Sequence, residues 1–164
     1  MPIGWRELPT LVTLVLKAKI VVELGTGSGW VGERVLEALE VTNGLYYTID
    51  LHPNQEPVKS AVQKLLAKHP TRCIFIPGDS IEVGRAWDKG NIDVLICDSD
   101  HSYDRVFGEL NTWAKFNPKV CFIHDTFDVN NQLGPPYHAA KDYAEKNGKL
   151  FFNYSFPHGL GVIL

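Results

Sequence analysis

The stretch ELGTGSGWVG, residues 23–32, sets glycines at 25, 27 and 29 behind a carboxylate. Two further carboxylates close the next apolar runs, Asp50 in YYTID and Asp79 in PGDS. Alternate glycines let a backbone turn tightly and approach a bound molecule closely, because no Cβ stands in the way. Carboxylates at strand ends accept hydrogen bonds from hydroxyl, amino or ammonium groups. These residue types describe a pocket for a nucleotide-like cofactor.

Two glycine frames overlap. Read from Gly27, GSGWVG is the G-x-G-x-x-G of a dinucleotide site; read from Glu23, ELGTGSG is the acid-x-G-x-G-x-G of an S-adenosylmethionine (SAM) site. A dinucleotide site needs its first glycine directly after the strand. That is Gly25, and the third glycine then falls on Trp30. Starting at Gly27 restores the pattern only with two extra loop residues. The acid-first frame fits as it stands, and Glu23 would repel a dinucleotide's phosphates while welcoming a cation. The reading is therefore SAM. Gly25, Thr26, Gly27 and Gly29 shape the loop, and Glu23, Asp50, Asp79 and Ser80 hold the cofactor, Asp50 at the ribose hydroxyls and Asp79 at the adenine edge. The structural alternatives are that Glu23 caps the loop and Asp79 caps the following helix.

The elements that position these residues alternate along the chain. KIVVEL, GLYYTID, TRCIFIPGD, NIDVLICDSD and KVCFIHD read as strands, separated by helix-like segments. WVGERVLEALE puts Val31, Val35, Leu36 and Leu39 on one face; in EPVKSAVQKLLAKH the inward residues are Val58, Val62, Leu65 and Leu66. A short helix is expected before the first strand, within residues 2–18, and another at YHAAKDYAEKN, ended by Gly148. KLFFNYSF and LGVIL close the chain around a PHG turn too short for a crossover, so a terminal strand must run antiparallel. The fold class is α/β: a doubly wound, mostly parallel, seven-stranded sheet with an antiparallel last strand.

At 164 residues, 45% hydrophobic and 21% charged, residues 1–164 read as one globular domain. A net charge of −3 gives no reason to expect nucleic acid. No apolar run approaches the roughly 20 residues of a membrane span, and the first residues do not read as a signal peptide. Cys73, Cys97 and Cys121 all lie in strand-like runs, which favours a reducing, cytoplasmic setting over a disulfide framework. Trp5, Trp87 and Trp113 read as core, His138 as surface, and HPN after Asp50 as turn chemistry.

VVELGTGSGW, YYTIDLHP, IPGDS and the reversed terminal strand together resemble the class I SAM-dependent methyltransferases over nearly the whole chain. ICDSDHSYDRVFGELNTWAKF followed by CFIHDTF is similar to the group that includes cephalosporin-hydroxylase-type proteins and macrolide-sugar, catechol and caffeoyl-CoA O-methyltransferases. That resemblance implies a Mg2+ ion held by Asp98 at the end of the fourth strand and Asp125 after the fifth. It also implies His101, three residues after Asp98, as general base, with an ordinary imidazole pKa suited to neutral pH. The chain departs from the pattern, offering His124-Asp125 or Asp125-Thr126 where relatives carry an Asp-Asn or Glu-Asp pair. Histidine is a poor magnesium ligand and threonine a weak one, so metal-assisted and metal-free transfer both stay open.

The leading expectation is a SAM-dependent methyltransferase acting on an oxygen of a small molecule or sugar. Two alternatives stand beside it. One is a non-catalytic module that binds SAM; the other is an NAD-dependent oxidoreductase using GSGWVG. Only TFDVNNQLGPPYH is long enough to cover an acceptor, which points to a homo-oligomer or partner subunit completing the site.

Overall fold

The computed structural model describes residues 4, 7–155 and 157–164; the expectation for Trp5 lies outside them. Helix α1 (Glu7–Val15) precedes strand β1 (Ile20–Leu24). Then follow α2 (Trp30–Thr42), β2 (Leu45–Asp50), α3 (Val58–Lys68), β3 (Cys73–Pro77), α4 (Ser80–Arg85) and β4 (Val94–Cys97). The chain continues through α5 (Tyr103–Trp113), a short 3-10 turn (Ala114–Phe116), β5 (Val120–His124), α6 (Pro135–Lys146), β6 (Phe151–Tyr154) and β7 (Leu160–Ile163). Local chemistry sets these boundaries. Asn43, left-handed at φ 58°, ends α2 by donating its N–H to Leu39. Pro135 and Pro136 open α6 two residues before the expected start, where a missing N–H costs nothing.

The seven strands lie in the order β3-β2-β1-β4-β5-β7-β6. Pairs from β3 through β5 are parallel; β7 runs antiparallel to both β5 and β6. The expected reversed last strand is present, and it sits inside the edge strand β6. The order reverses between β1 and β4, so a crevice forms beyond their carboxyl ends.

Alternation divides the buried strand residues between two layers. Val21, Tyr46, Val94, Ile96, Val120 and Phe122 pack with Val31, Val35, Leu36 and Leu39 of α2 and Leu65 of α3. On the opposite face Leu24, Ile49, Leu95 and Ile123 pack with α5 and α6. There Trp87 meets Trp113 edge-on, centroids 5.2 Å apart. Val62 and Leu66, expected inward on α3, are only half-buried; Ala61 is buried in their stead. His138 is exposed. Cys73, Cys97 and Cys121 are free and buried, on β3, β4 and β5. Burial raises the Cys73 thiol to about 11 and the Cys121 thiol to about 12.

Phe122 is fully buried on β5, between β4 and β7. Phe122→Ala is expected to lower unfolding free energy by about 3–5 kcal/mol, read from the midpoint of urea denaturation.

Candidate functional site

The loop after β1 begins with Gly25, whose φ is 92°. Its N–H donates to the Ile49 carbonyl at 2.8 Å. A Cβ built on Gly25 would stand 2.2 Å from the Asp98 backbone oxygen, so only glycine lets the ends of β1 and β4 meet. Thr26 Oγ1 and Thr48 Oγ1 share a hydrogen bond of 2.7 Å. Gly29, left-handed at φ 72°, hands the chain to α2. Asp50 braces this loop: it accepts from the Thr26 N–H and, through its other oxygen, from the His52 N–H, each at 2.9 Å.

Glu23 lies beneath the loop, 1% exposed. It accepts a short hydrogen bond from the Tyr46 hydroxyl and a longer one, 3.4 Å, from Thr48. Burial pushes its carboxyl up to about 8, against the hydrogen bond from Tyr46 and with the charge of Asp98. Both partners were legible from strand alternation, because the β1–β2 register sets Glu23 opposite Thr48 with Tyr46 on the same face.

Asp79 is committed to structure. One oxygen caps α4 by accepting from the Ile81 and Glu82 N–H groups, and the other pairs with Arg105. Those bonds, the Arg105 hydrogen bond foremost, hold its carboxyl below the usual range. The helix-capping alternative describes this geometry, while Oδ2 accepts from Arg105 alone. Ser80 donates to Glu109, fully buried on α5, which also accepts from Ser99 at 2.6 Å. The sequence carried no sign of Glu109 or Arg105 at the site; only the packing of α5 on α4 brings them there.

Two adjoining cavities open along this edge. One, about 360 Å3, is lined by Gly25, Asp50, His52, Gly78, Ser80 and Arg105, among others. The second, about 300 Å3, is lined by Glu23, Trp30, His124, Asp125 and His158. Gly27 and Asp98 belong to both.

Two carboxylates that line the second cavity, Asp98 and Asp125, draw three of the six histidines together, His124 and His158 from its lining and His101 from beside it. His124 Nδ1 lies 2.8 Å from Asp98 Oδ1 and 3.3 Å from Asp125 Oδ1. His101 Nδ1 lies 2.8 Å from Asp125 Oδ2, while its Nε2 is 3.4 Å from Asp98 Oδ1. His158, from the turn read simply as PHG, stands 3.9 Å from Asp125. Hydrogen bonds to Asp125 and then to Asp98 raise His101 to about 10. That lies well above the ordinary imidazole value expected of a general base. Burial drives Asp98 and Asp125 upward, but their histidine partners outweigh it and hold both below the usual carboxylate range.

Among the described residues, Asp98, His101 and His124 form a potential ligand set, with donor atoms within 4.8 Å of one another. Two of those three donors are imidazole nitrogens. Magnesium demands a near-octahedral oxygen shell. The expected Mg2+ on Asp98 and Asp125 is thus a poor fit to this donor set, and nothing in the reaction is assigned to it.

A family model described as a methyltransferase domain matches residues 22–126, and the chain belongs to that family. No curated protein matches the chain. Among solved structures, the S-adenosylhomocysteine (SAH)-bound methyltransferase PaMTH1 of Podospora anserina superposes with a TM-score of 0.73 at 14% identity, over 96% of this chain and 76% of that one. The O-methyltransferase TomG of Streptomyces achromogenes, involved in tomaymycin synthesis and solved with SAM, gives 0.71 at 15%, over 97% and 78%. An O-methyltransferase of Bacillus cereus in complex with SAH gives 0.72 at 13%, over 97% and 80%. The shared fold is the Rossmann-like methyltransferase fold, and the family agrees with the acid-first glycine frame. No helix among the described residues is long and apolar enough to cross a membrane.

Gly25→Ala and Gly27→Ala separate close approach from backbone conformation. Both glycines have positive φ, but a Cβ on Gly27 meets nothing within 4 Å. Gly27→Ala should cost about 1–2 kcal/mol, the left-handed penalty alone. Gly25→Ala should cost clearly more and abolish ligand binding, as thermal melts and calorimetry of the two variants would reveal.

Proposed function

We propose that this chain transfers the methyl group of SAM to an oxygen of a small-molecule acceptor. The observation that carries the reading is the pair of cavities meeting at Gly27 and Asp98. The adenosine portion suits the first, where Asp50 keeps lone pairs free for ribose hydroxyls although each oxygen already accepts one backbone N–H. The amino-acid portion suits the second, over Glu23, with its sulfonium at the shared boundary. An acceptor oxygen entering beside His124 and Asp125 would then face the methyl carbon.

Displacement at that carbon needs an oxygen nucleophile in line with the departing sulfur; holding both in one cleft supplies much of the acceleration. The methyl–sulfur bond breaks as the carbon–oxygen bond forms, the sulfur keeps the electron pair so that SAH leaves neutral at sulfur, and the acceptor's hydroxyl proton passes to solvent. Asp98 and Asp125 supply negative charge near the sulfonium and can order an acceptor hydroxyl through the histidines they hold. The family membership and the likeness to O-methyltransferase structures support this reading.

Calorimetric titration with SAH and, separately, with NAD tests the cofactor. SAH binding with NAD silent is expected; NAD binding alone would overturn the proposal. An acceptor screen with methyl-labelled SAM follows, and label transfer to hydroxyl-bearing compounds is the expected outcome.

Glu23 gives a pH test. In the folded chain it keeps its proton to about 8, whereas its ordinary value is 4.5. The folded state therefore holds an extra proton between those values, and Glu23 makes stability fall as pH rises across that window. An ammonium ligand prefers the ionised carboxylate and expels the proton on binding. SAH affinity should thus climb with pH up to about 8, and Glu23→Gln should flatten that climb and weaken binding about tenfold. Calorimetry in buffers of different ionisation enthalpy would count the released proton.

A further inference from the structure

The ligand chemistry beside the second cavity differs from what magnesium requires, and the difference is specific. We propose that Asp98, His101 and His124 form a three-residue site for a divalent first-row transition ion, Mn2+ through Zn2+, with open positions facing the acceptor. The inference rests on the reading above only for what the ion would act upon.

Topology brings the three donors together. Cys97 of β4 pairs with Ile123 of β5, so Asp98 and His124 are the next residues of adjacent parallel strands. His101 returns over the strand end through a turn in which Asp100 accepts from the Ser102 N–H at 2.7 Å. From Asp98 Oδ1, His124 Nδ1 and His101 Nε2 lie at 2.8 and 3.4 Å. Donors about 2.1 Å from a common ion stand about 3.0 Å apart at octahedral angles and about 3.4 Å apart at tetrahedral ones. These two spacings match, and all three donors lie within 4.8 Å of one another.

The second observation is the state of His101. Its Nδ1 is held by Asp125 at 2.8 Å, which leaves Nε2 as the atom turned toward Asp98, where an ion would take the place of the proton shared with that carboxylate. A carboxylate fixing one imidazole nitrogen so that the other can ligate is the usual outer support of a histidine–metal bond. Asp125 is thereby a positioning residue, not a ligand. One carboxylate and two imidazoles select borderline ions, for which nitrogen is a good donor. Such an ion would supply Lewis acidity to an acceptor oxygen, lowering its pKa.

Chelator-treated, tag-free protein titrated with Co2+, Mn2+ and Mg2+ tests the site by calorimetry and, for Co2+, by visible absorption. One Co2+ per chain is expected, with bands stronger than those of the aquo ion and Mg2+ at least about 100-fold weaker. His101→Ala should weaken Co2+ at least about tenfold. His124→Asp should weaken Co2+ and strengthen Mg2+, by turning a nitrogen donor into oxygen. His138→Ala, far from the cluster in sequence and exposed, should change neither. Thermal melts of each variant confirm folding. Mg2+ binding as tightly as Co2+, or Co2+ affinity indifferent to both histidine substitutions in folded protein, would overturn the site. Loss of Co2+ binding alone, with SAH still bound, sinks the metal site and spares the cofactor reading. Co2+ bound with SAH silent supports the metal site and removes the cofactor.

Discussion

The contact between Gly25 and the backbone of Asp98 is the constraint on which the functional edge depends. Two parallel strands normally part company where their hydrogen bonds end. Here β1 and β4 stay together one residue longer, because the Asp98 N–H still donates to Leu24 and its carbonyl occupies the space of an absent side chain. That approach folds the loop over the sheet. It also leaves Asp98 as a wall common to both cavities and directs its carboxylate toward His124 on the next strand. A larger residue at position 25 would separate the strand ends and with them everything that Asp98 joins.

Five of the carboxylates at this end of the sheet are compensated in four different ways. Glu23 is compensated by holding a proton, Asp50 by two backbone N–H groups, and Asp79 by helix amides and Arg105. Asp98 and Asp125 share imidazoles. The compensations that a small cation can displace are the proton on Glu23 and the imidazole contacts of Asp98 and Asp125. Those lie on the second cavity. Asp50 and Asp79 are tied by the fold itself, so the first cavity is suited to hydroxyl recognition and shape. The division matches a ligand that is neutral at one end and cationic at the other.

The strands, the doubly wound order and the glycine frame were legible because they rest on local alternation and on residues adjacent in sequence. Asp98 and Asp125 could be marked as acids at strand ends for the same reason. The partners of those acids could not. His158 reaches Asp125 only because β7 turns back beside β5, and Glu109 reaches Ser80 only through the packing of α5 on α4. Asp79 shows the limit from the other side. Its position after a strand suited a cofactor and a helix cap equally; the cap is present, and the further partner, Arg105, lies 26 residues away. His101 likewise carries an ordinary imidazole in isolation; two carboxylates from separate strand ends change its character.

The three buried cysteines give the molecule a built-in clock. Thiolates, not thiols, attack labelling reagents, and Cys73 and Cys121 stay protonated far above neutrality while shielded from solvent. Alkylation at pH 8 therefore proceeds only through transient opening. Cys73 lies on edge strand β3, whereas Cys97 and Cys121 lie on interior strands β4 and β5. Labelling order along the sheet would resolve fraying at one margin from global unfolding, without a single engineered residue.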